Sequence, residues 1–108
     1  MEDKNKIRRG HPRFFALLDE MAEIHSRKNS DYAKSEDPLS NLKECEKLGV
    51  PAYMGTLIRM TDKFSRITQL SNGKKPAVND EAIEDTLKDL AAYSLLAIIL
   101  FEENKQTK

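Results

Sequence analysis

Residues 80–103, DEAIEDTLKDLAAYSLLAIILFEE, decide the fold. Ile83, Leu87, Leu90, Ser94, Ala97, Ile98 and Phe101 recur at three- and four-residue intervals. That is the period of an α-helix, and it predicts one over about 80–103 with these residues as its buried face. At 100° per residue, Glu81, Asp85 and Asp89 share about 80° of arc on another side. The run from Leu90 to Phe101 is apolar almost all round, but it is flanked by Asp89 and Glu102. It is shorter than the roughly twenty residues a membrane span needs. It reads as a helix buried on most sides, in the core or between subunits.

Upstream, residues 72–79 (NGKKPAVN) contain the breakers Asn72-Gly73 and Lys75-Pro76 and predict a loop. Residues 52–71 predict a second long helix, with Tyr53, Leu57, Met60, Phe64 and Ile67 as its apolar stripe. Arg59, Asp62, Lys63 and Arg66 lie on about 100° of arc along its other side. A short helix fits 38–48, with Asp37 as N-cap and Pro38 as first residue. Gly49 can end it in the left-handed conformation, and Pro51 prevents continuation. Its apolar positions are Leu39, Leu42, Cys45 and Leu48. A first helix is predicted from Pro12 to about Lys28, with Phe14, Leu17, Leu18, Met21 and His25 on one face. Residues 29–36 (NSDYAKSE) read as a polar connection. No β-alternation or repeat competes. The expected architecture is an all-α, antiparallel four-helix bundle, the helix over 38–48 being the short one. Residues 11–104 would form its single domain, after a charged segment at 1–10 expected to be mobile and before a polar tail at 105–108.

A chain of 108 residues builds one small core, to which association with other copies would add buried surface. Eighteen basic residues balance eighteen acidic ones, so bulk charge favours neither a nucleic-acid polymer nor a membrane surface as partner. The single cysteine, Cys45, excludes an intrachain disulfide and a cysteine-based zinc cage, and reads as a small half-buried residue. The N-terminus is polar through about residue 13 and shows no secretory signal, so a cytoplasmic location is expected.

Function must therefore come from local arrangement. Glu81/Asp85 and Asp85/Asp89 are like-charge pairs one turn apart, each costing about 0.2–0.5 kcal/mol if merely solvated. Carboxylates so spaced can jointly hold Mg²⁺ or Mn²⁺, and Asp62 from the neighbouring helix could complete a set with Glu81, Asp85 and Asp89. Arg59, Lys63 and Arg66 could grip a phosphate chain. The alternative is a ladder of salt bridges between the two stripes. Lys28, Asn29, Asp31, Tyr32 and Asn41 offer amides, charge and an aromatic face to a base or sugar, although ordinary loop chemistry explains them as well. His11 precedes a helix-starting proline and His25 falls on an apolar face, so they form no catalytic pair. There is no Ser/His/Asp set, glycine-rich phosphate loop or HExxH motif.

Four motifs in order resemble the small all-α nucleoside triphosphate pyrophosphohydrolases of the MazG-like superfamily, most closely a group common in phages and bacteria. They are Lys28-Asn29-x-Asp31-Tyr32-Ala33, Asp37-Pro38-Leu39-x-Asn41, Arg59-x-x-Asp62-Lys63-x-x-Arg66, and a last stretch from Val78 to Tyr93. The resemblance spans about residues 14–102. It implies an oligomeric helical fold and a Mg²⁺-dependent cut between the α- and β-phosphates, releasing nucleoside monophosphate and pyrophosphate. Asp62 and Asp85 would be catalytic. The better-known members carry Glu-x-x-Glu on one core helix and Glu-x-x-Asp on the next. Here the first pair reads Arg59-x-x-Asp62, and the second reads Glu81-x-x-Glu84 or Asp85/Asp89. A literal Glu20-x-x-Glu23 faces away from the first helix's apolar stripe and reads as surface. The departures leave three readings: a hydrolase, a non-catalytic oligomer that binds or sequesters a nucleotide or nucleotide-derived signal, and a purely structural helical oligomer.

Overall fold

The computed structural model describes residues 8–32, 37–72 and 76–106, excepting the side chains of residues 31, 32 and 76–79. Among them are four helices and no strand: α1 (Pro12–Tyr32), a 3₁₀ helix (Ser40–Leu48), α2 (Ala52–Ser71) and α3 (Pro76–Gln106). The bounds of α2 agree with the sequence reading. α1 runs on through Tyr32, because no glycine or proline intervenes before Pro38. Lengthening an existing helix gains a hydrogen bond for each residue fixed, which outweighs the modest propensity penalty of Asn and Ser. α3 opens at Pro76 and not at residue 80. Proline in the first helical turn starts a helix at no hydrogen-bonding cost, so this breaker lies inside the element it was expected to precede.

The 3₁₀ helix had a signature in the spacing. Leu39, Leu42, Cys45 and Leu48 recur every three residues, the period at which 3₁₀ side chains eclipse. Leu39 and Leu42 are buried. The helix opens at Ser40 and not at Pro38, and its N-cap is Leu39, which has no side-chain cap bond. Asp37 lies too early to cap it, and its Oδ1 instead accepts the Leu39 N–H at 2.9 Å, closing the turn before the helix. Gly49 adopts φ 81°. Its N–H bonds to Glu46 O, and the Val50 N–H to Cys45 O, the paired closure of a Schellman motif.

The main packing is α2 against an antiparallel α3. Tyr53 near the start of α2 meets Phe101 near the end of α3 edge-to-face, with ring centroids 5.2 Å apart. The seam is made of small residues: Ala52 and Thr56 on α2, Thr86 on α3, with Leu90 and Leu100 also buried. Each threonine hydroxyl donates to the carbonyl four residues back, Thr56 to Ala52 and Thr86 to Ala82, which removes the cost of burying it. The inward faces lie roughly 60° round from the apolar stripes read in the sequence. Leu57 and Phe64 on α2, and Leu87, Ile98 and Phe101 on α3, are exposed, as are Phe14 and Leu18 on α1. Close helix approach selects small side chains for the seam and displaces larger ones to its edges.

Leu39, Leu42, Ala52 and Leu100 form the buried cluster, with Tyr53, Tyr93 and Leu96 against it, so the core sits where the 3₁₀ helix meets α2 and α3. Lys43 ties this corner together, its Nζ 2.6 Å from Asp37 Oδ2 and 3.0 Å from Glu103 Oε1. α1 is attached more loosely. It meets α3 through ion pairs of Arg13 with Glu84, Glu20 with Lys88, and Lys28 with Asp89. No helix of the described residues is long and apolar enough to cross a membrane.

Two predictions follow from the corner at the 3₁₀ helix. A Cβ at Gly55 would stand 2.5 Å from Cys45 Sγ and 3.3 Å from its Cβ. Gly55→Ala, normally stabilising in a helix interior, is therefore expected to cost about 1–3 kcal/mol as overpacking. Cys45→Ala should restore part of the loss in a denaturation double-mutant cycle. The second concerns pH. Lys43, and next the Leu39 N–H, hold the Asp37 carboxyl below its ordinary 3.8. Asp37, and next Glu103, raise the Lys43 ammonium above 10.5. The Asp37 contribution is thus complete above pH 3.8 and lost as pH falls through its depressed value. The Lys43 contribution is complete below pH 10.5 and lost as pH rises through its raised value. Denaturation midpoints of Lys43→Met and the unaltered chain should differ by a constant amount between these limits and converge in acid.

Candidate functional site

The α2/α3 pair has two flanks. On one, α1 and the 3₁₀ helix lean over the seam and enclose a cleft of about 550 Å³. Met21 and Ile24 of α1, Leu39 and Leu42 of the 3₁₀ helix, and Tyr93 and Leu96 of α3 supply its apolar wall. Its polar part is Lys28 and Asn29 from α1, Asn41 from the 3₁₀ helix, Arg59 and Lys63 from α2, and Asp85, Lys88 and Asp89 from α3. Apolar walls with a few convergent polar groups are the usual make-up of a small-molecule site.

The structure brings together Lys28, Asn29, Asn41, Arg59, Lys63, Asp85 and Asp89 of the residues singled out in the sequence. Asp62, Arg66 and Glu81 are exposed and do not line the cleft. The reason is helical phase: Asp62 and Arg66 lie farther from the α2/α3 seam than Lys63, and Glu81 farther than Asp89. Asp31 and Tyr32 belong to the last turn of α1, and their side chains lie outside the described residues. Asn29, expected in the polar connection after the first helix, is therefore helical, as Lys28 is. Among the described residues, no group of three or more His, Cys, Asp or Glu side chains is placed to hold a metal ion. The expected four-carboxylate set is thus not assembled.

Charge in the cleft is organised around Asp89. Lys28 Nζ lies 3.3 Å from its Oδ1, and Lys63 Nζ 3.2 Å from its Oδ2. One carboxylate thus holds ammonium groups from two other helices. Lys63–Asp89 is also the one ion pair among the described residues that joins the two charged stripes, so no ladder of salt bridges is built. Arg59 and Asp85 line the same cleft with no ion-pair partner among the described residues. Lys88 is turned toward Glu20 and Glu84, 3.6 Å from each. Asn29 fixes the cleft's edge by donating from Nδ2 to the Pro38 carbonyl, which joins the end of α1 to the turn before the 3₁₀ helix.

Sequence reading missed Tyr93, Lys88 and His25 as wall residues. Tyr93 had a signal, since it stands one helical turn beyond Asp89 on the same side. His25 was placed on a buried apolar face, but it is exposed at the cleft, one turn before Lys28. His11 is remote in role: its Nδ1 accepts the Arg13 N–H at the start of α1. Cys45 is half-buried and donates weakly to the Leu42 carbonyl, as a packing residue would.

The chain belongs to the family described as nucleotide modification associated domain 1, which matches residues 28–101. The match opens at Lys28 and takes in every charged residue of the cleft. No curated protein and no solved structure matches the chain significantly.

Proposed function

We propose that the cleft binds a nucleoside triphosphate, ribose or deoxyribose, and that the chain is a Mg²⁺-dependent pyrophosphohydrolase of the MazG-like kind. The observation that carries this reading is the convergence of Lys28, Arg59 and Lys63 with Asp85 and Asp89 in one partly apolar cleft. The family description, which concerns nucleotides, supports it.

Arg59 can take two phosphate oxygens in parallel, and Lys28 and Lys63 add charge that follows the chain. Tyr93 and the aliphatic wall suit a base or sugar, whose edges Asn41 can reach with its amide. Mg²⁺ is ordinarily held by one or two carboxylates together with substrate phosphates, and Asp85 and Asp89 provide that number. When bound there, it would screen the phosphate charge and make the attacking water more acidic. Asp85, which has no ion-pair partner among the described residues, would orient that water and accept its proton. The water oxygen would bond to the α-phosphorus as the bond to the α,β-bridging oxygen breaks, and pyrophosphate would leave with that electron pair. Arg59 and Lys63 would stabilise the charge developing on it.

The second reading, a non-catalytic nucleotide binder, is favoured by the exclusion of Asp62 and Glu81 from the cleft. Incubating each common NTP and dNTP with the protein and Mg²⁺ decides between them. Monophosphate and pyrophosphate should appear, and Asp85→Asn should abolish them. Saturable binding without product would instead establish the binder.

The other flank of α2/α3 suits a second copy of the chain. Leu57 and Phe64 on α2 and Leu87, Leu95 and Ile98 on α3 are exposed there, and helical phase puts the small exposed residues Thr61, Thr68, Ala91 and Ser94 on the same side. The Cα radius of gyration is 16.4 Å, against about 13 Å for a compact domain of this length. Pairing this flank would convert two open hairpins into a bundle and leave both clefts outside the contact. Sedimentation equilibrium should show a dimer or higher oligomer that Phe64→Asp reduces to monomer. A monomeric unaltered chain would refute the assembly.

A further inference from the structure

Resting on the nucleotide-phosphate reading of this cleft, we propose that the phosphate chain binds first, without metal, and that the divalent ion is recruited by the phosphates and not by the protein alone. The warrant is the state of Asp89. Its two oxygens are held by Lys28 and Lys63 at 3.3 and 3.2 Å. The carboxylate thus stands where two ammonium groups from different helices converge, as an internal substitute for an anionic ligand. A Mg²⁺ ion approaching the empty cleft would have to displace both lysines, with only Asp85 as further carboxylate among the cleft residues. Mg²⁺ gives up its waters reluctantly and demands near-octahedral oxygen geometry, so this exchange is unfavourable.

A polyphosphate meets the opposite situation. It carries several negative charges against one on Asp89, and finds Arg59, one turn from Lys63, without an ion-pair partner among the described residues. Lys28 and Lys63 can turn from Asp89 to the phosphate, each keeping a charge-assisted bond. That exchange leaves Asp89 with Asp85 as a pair of unneutralised carboxylates facing a phosphate chain, the arrangement that Mg²⁺ does accept. Phosphate and metal then bind with positive coupling, and by linkage each raises the affinity of the other. Asp89 is in this account a positioning residue for the lysines before it is a metal ligand.

The test uses the full chain and inorganic tripolyphosphate, read by isothermal titration calorimetry and thermal shift. Tripolyphosphate should bind in the presence of EDTA, whereas millimolar Mg²⁺ alone should leave the melting temperature unchanged. Lys63→Ala and Arg59→Ala should each weaken the EDTA binding about tenfold or more, the loss of one charged phosphate contact. Asp89→Asn should bind tripolyphosphate in EDTA at least as tightly as the unaltered chain, because its lysines no longer have a competing carboxylate, while losing the further gain that Mg²⁺ brings. Circular dichroism confirms that each variant is folded. Stabilisation by Mg²⁺ alone, or loss of EDTA binding in Asp89→Asn, would overturn the order. Nucleotide binding seen only with Mg²⁺ would overturn it too, while leaving the cleft's assignment intact. Absence of binding by tripolyphosphate and by every nucleotide, with or without Mg²⁺, would remove that assignment as well.

Discussion

The close contact of α2 with α3 is the constraint on which the rest depends. Ala52, Thr56 and Thr86 let the two helices meet along a seam of small side chains, and their hydroxyls stay satisfied by their own helices. Once that seam is set, helical phase assigns every other residue. Arg59, Lys63, Asp85 and Asp89 come to one flank, and Leu57, Phe64, Leu87 and Ile98 to the other. Because the helices are antiparallel, a rotation in the same sense along each chain carries both stripes to the same side. One contact therefore sorts charge from apolar surface across the molecule.

The charged flank becomes a site only because two further elements cover it. The 3₁₀ helix is anchored into the corner by Leu39 and Leu42 and by the Lys43 bridges to Asp37 and Glu103. α1 contributes Lys28 and Asn29 and is held to α3 by three partly exposed ion pairs, a kind of contact worth little apiece. The cleft thus has a firm wall on α2, α3 and the 3₁₀ helix, and a weakly attached one on α1. Asp89 links the two, since its carboxylate is bonded from both α1 and α2. A ligand that competes for those lysines acts on the attachment of α1 as well as on its own affinity.

Much of this was legible in advance, and the failures have specific causes. The bounds of α2 and the left-handed Gly49 rest on local chemistry, which sequence states directly. Pro76 was misplaced because proline both ends and begins helices, and composition does not distinguish the two uses. The 3₁₀ helix was visible as a strict spacing of three, read instead as an ordinary helical turn. Seven of the proposed site residues do share a cleft: Arg59, Lys63, Asp85 and Asp89 because residues one turn apart form stripes that run side by side on adjacent helices, and Lys28, Asn29 and Asn41 because α1 and the 3₁₀ helix cover that flank. Asp62 and Glu81 failed by a fraction of a turn.

That fraction separates what the chain determined by itself from what tertiary structure decided. Periodicity, caps and breakers are local, so sequence alone established the all-helical elements and the stripes of like charge along them. Which part of each helix turns inward is a property of the pair. It is set by how closely two backbones approach, and small residues at the seam outweigh the larger apolar ones beside it. The sequence therefore marked the most apolar stripes as core, while packing turned part of each to the surface and brought Asp85 and Asp89, without Glu81, into the cleft.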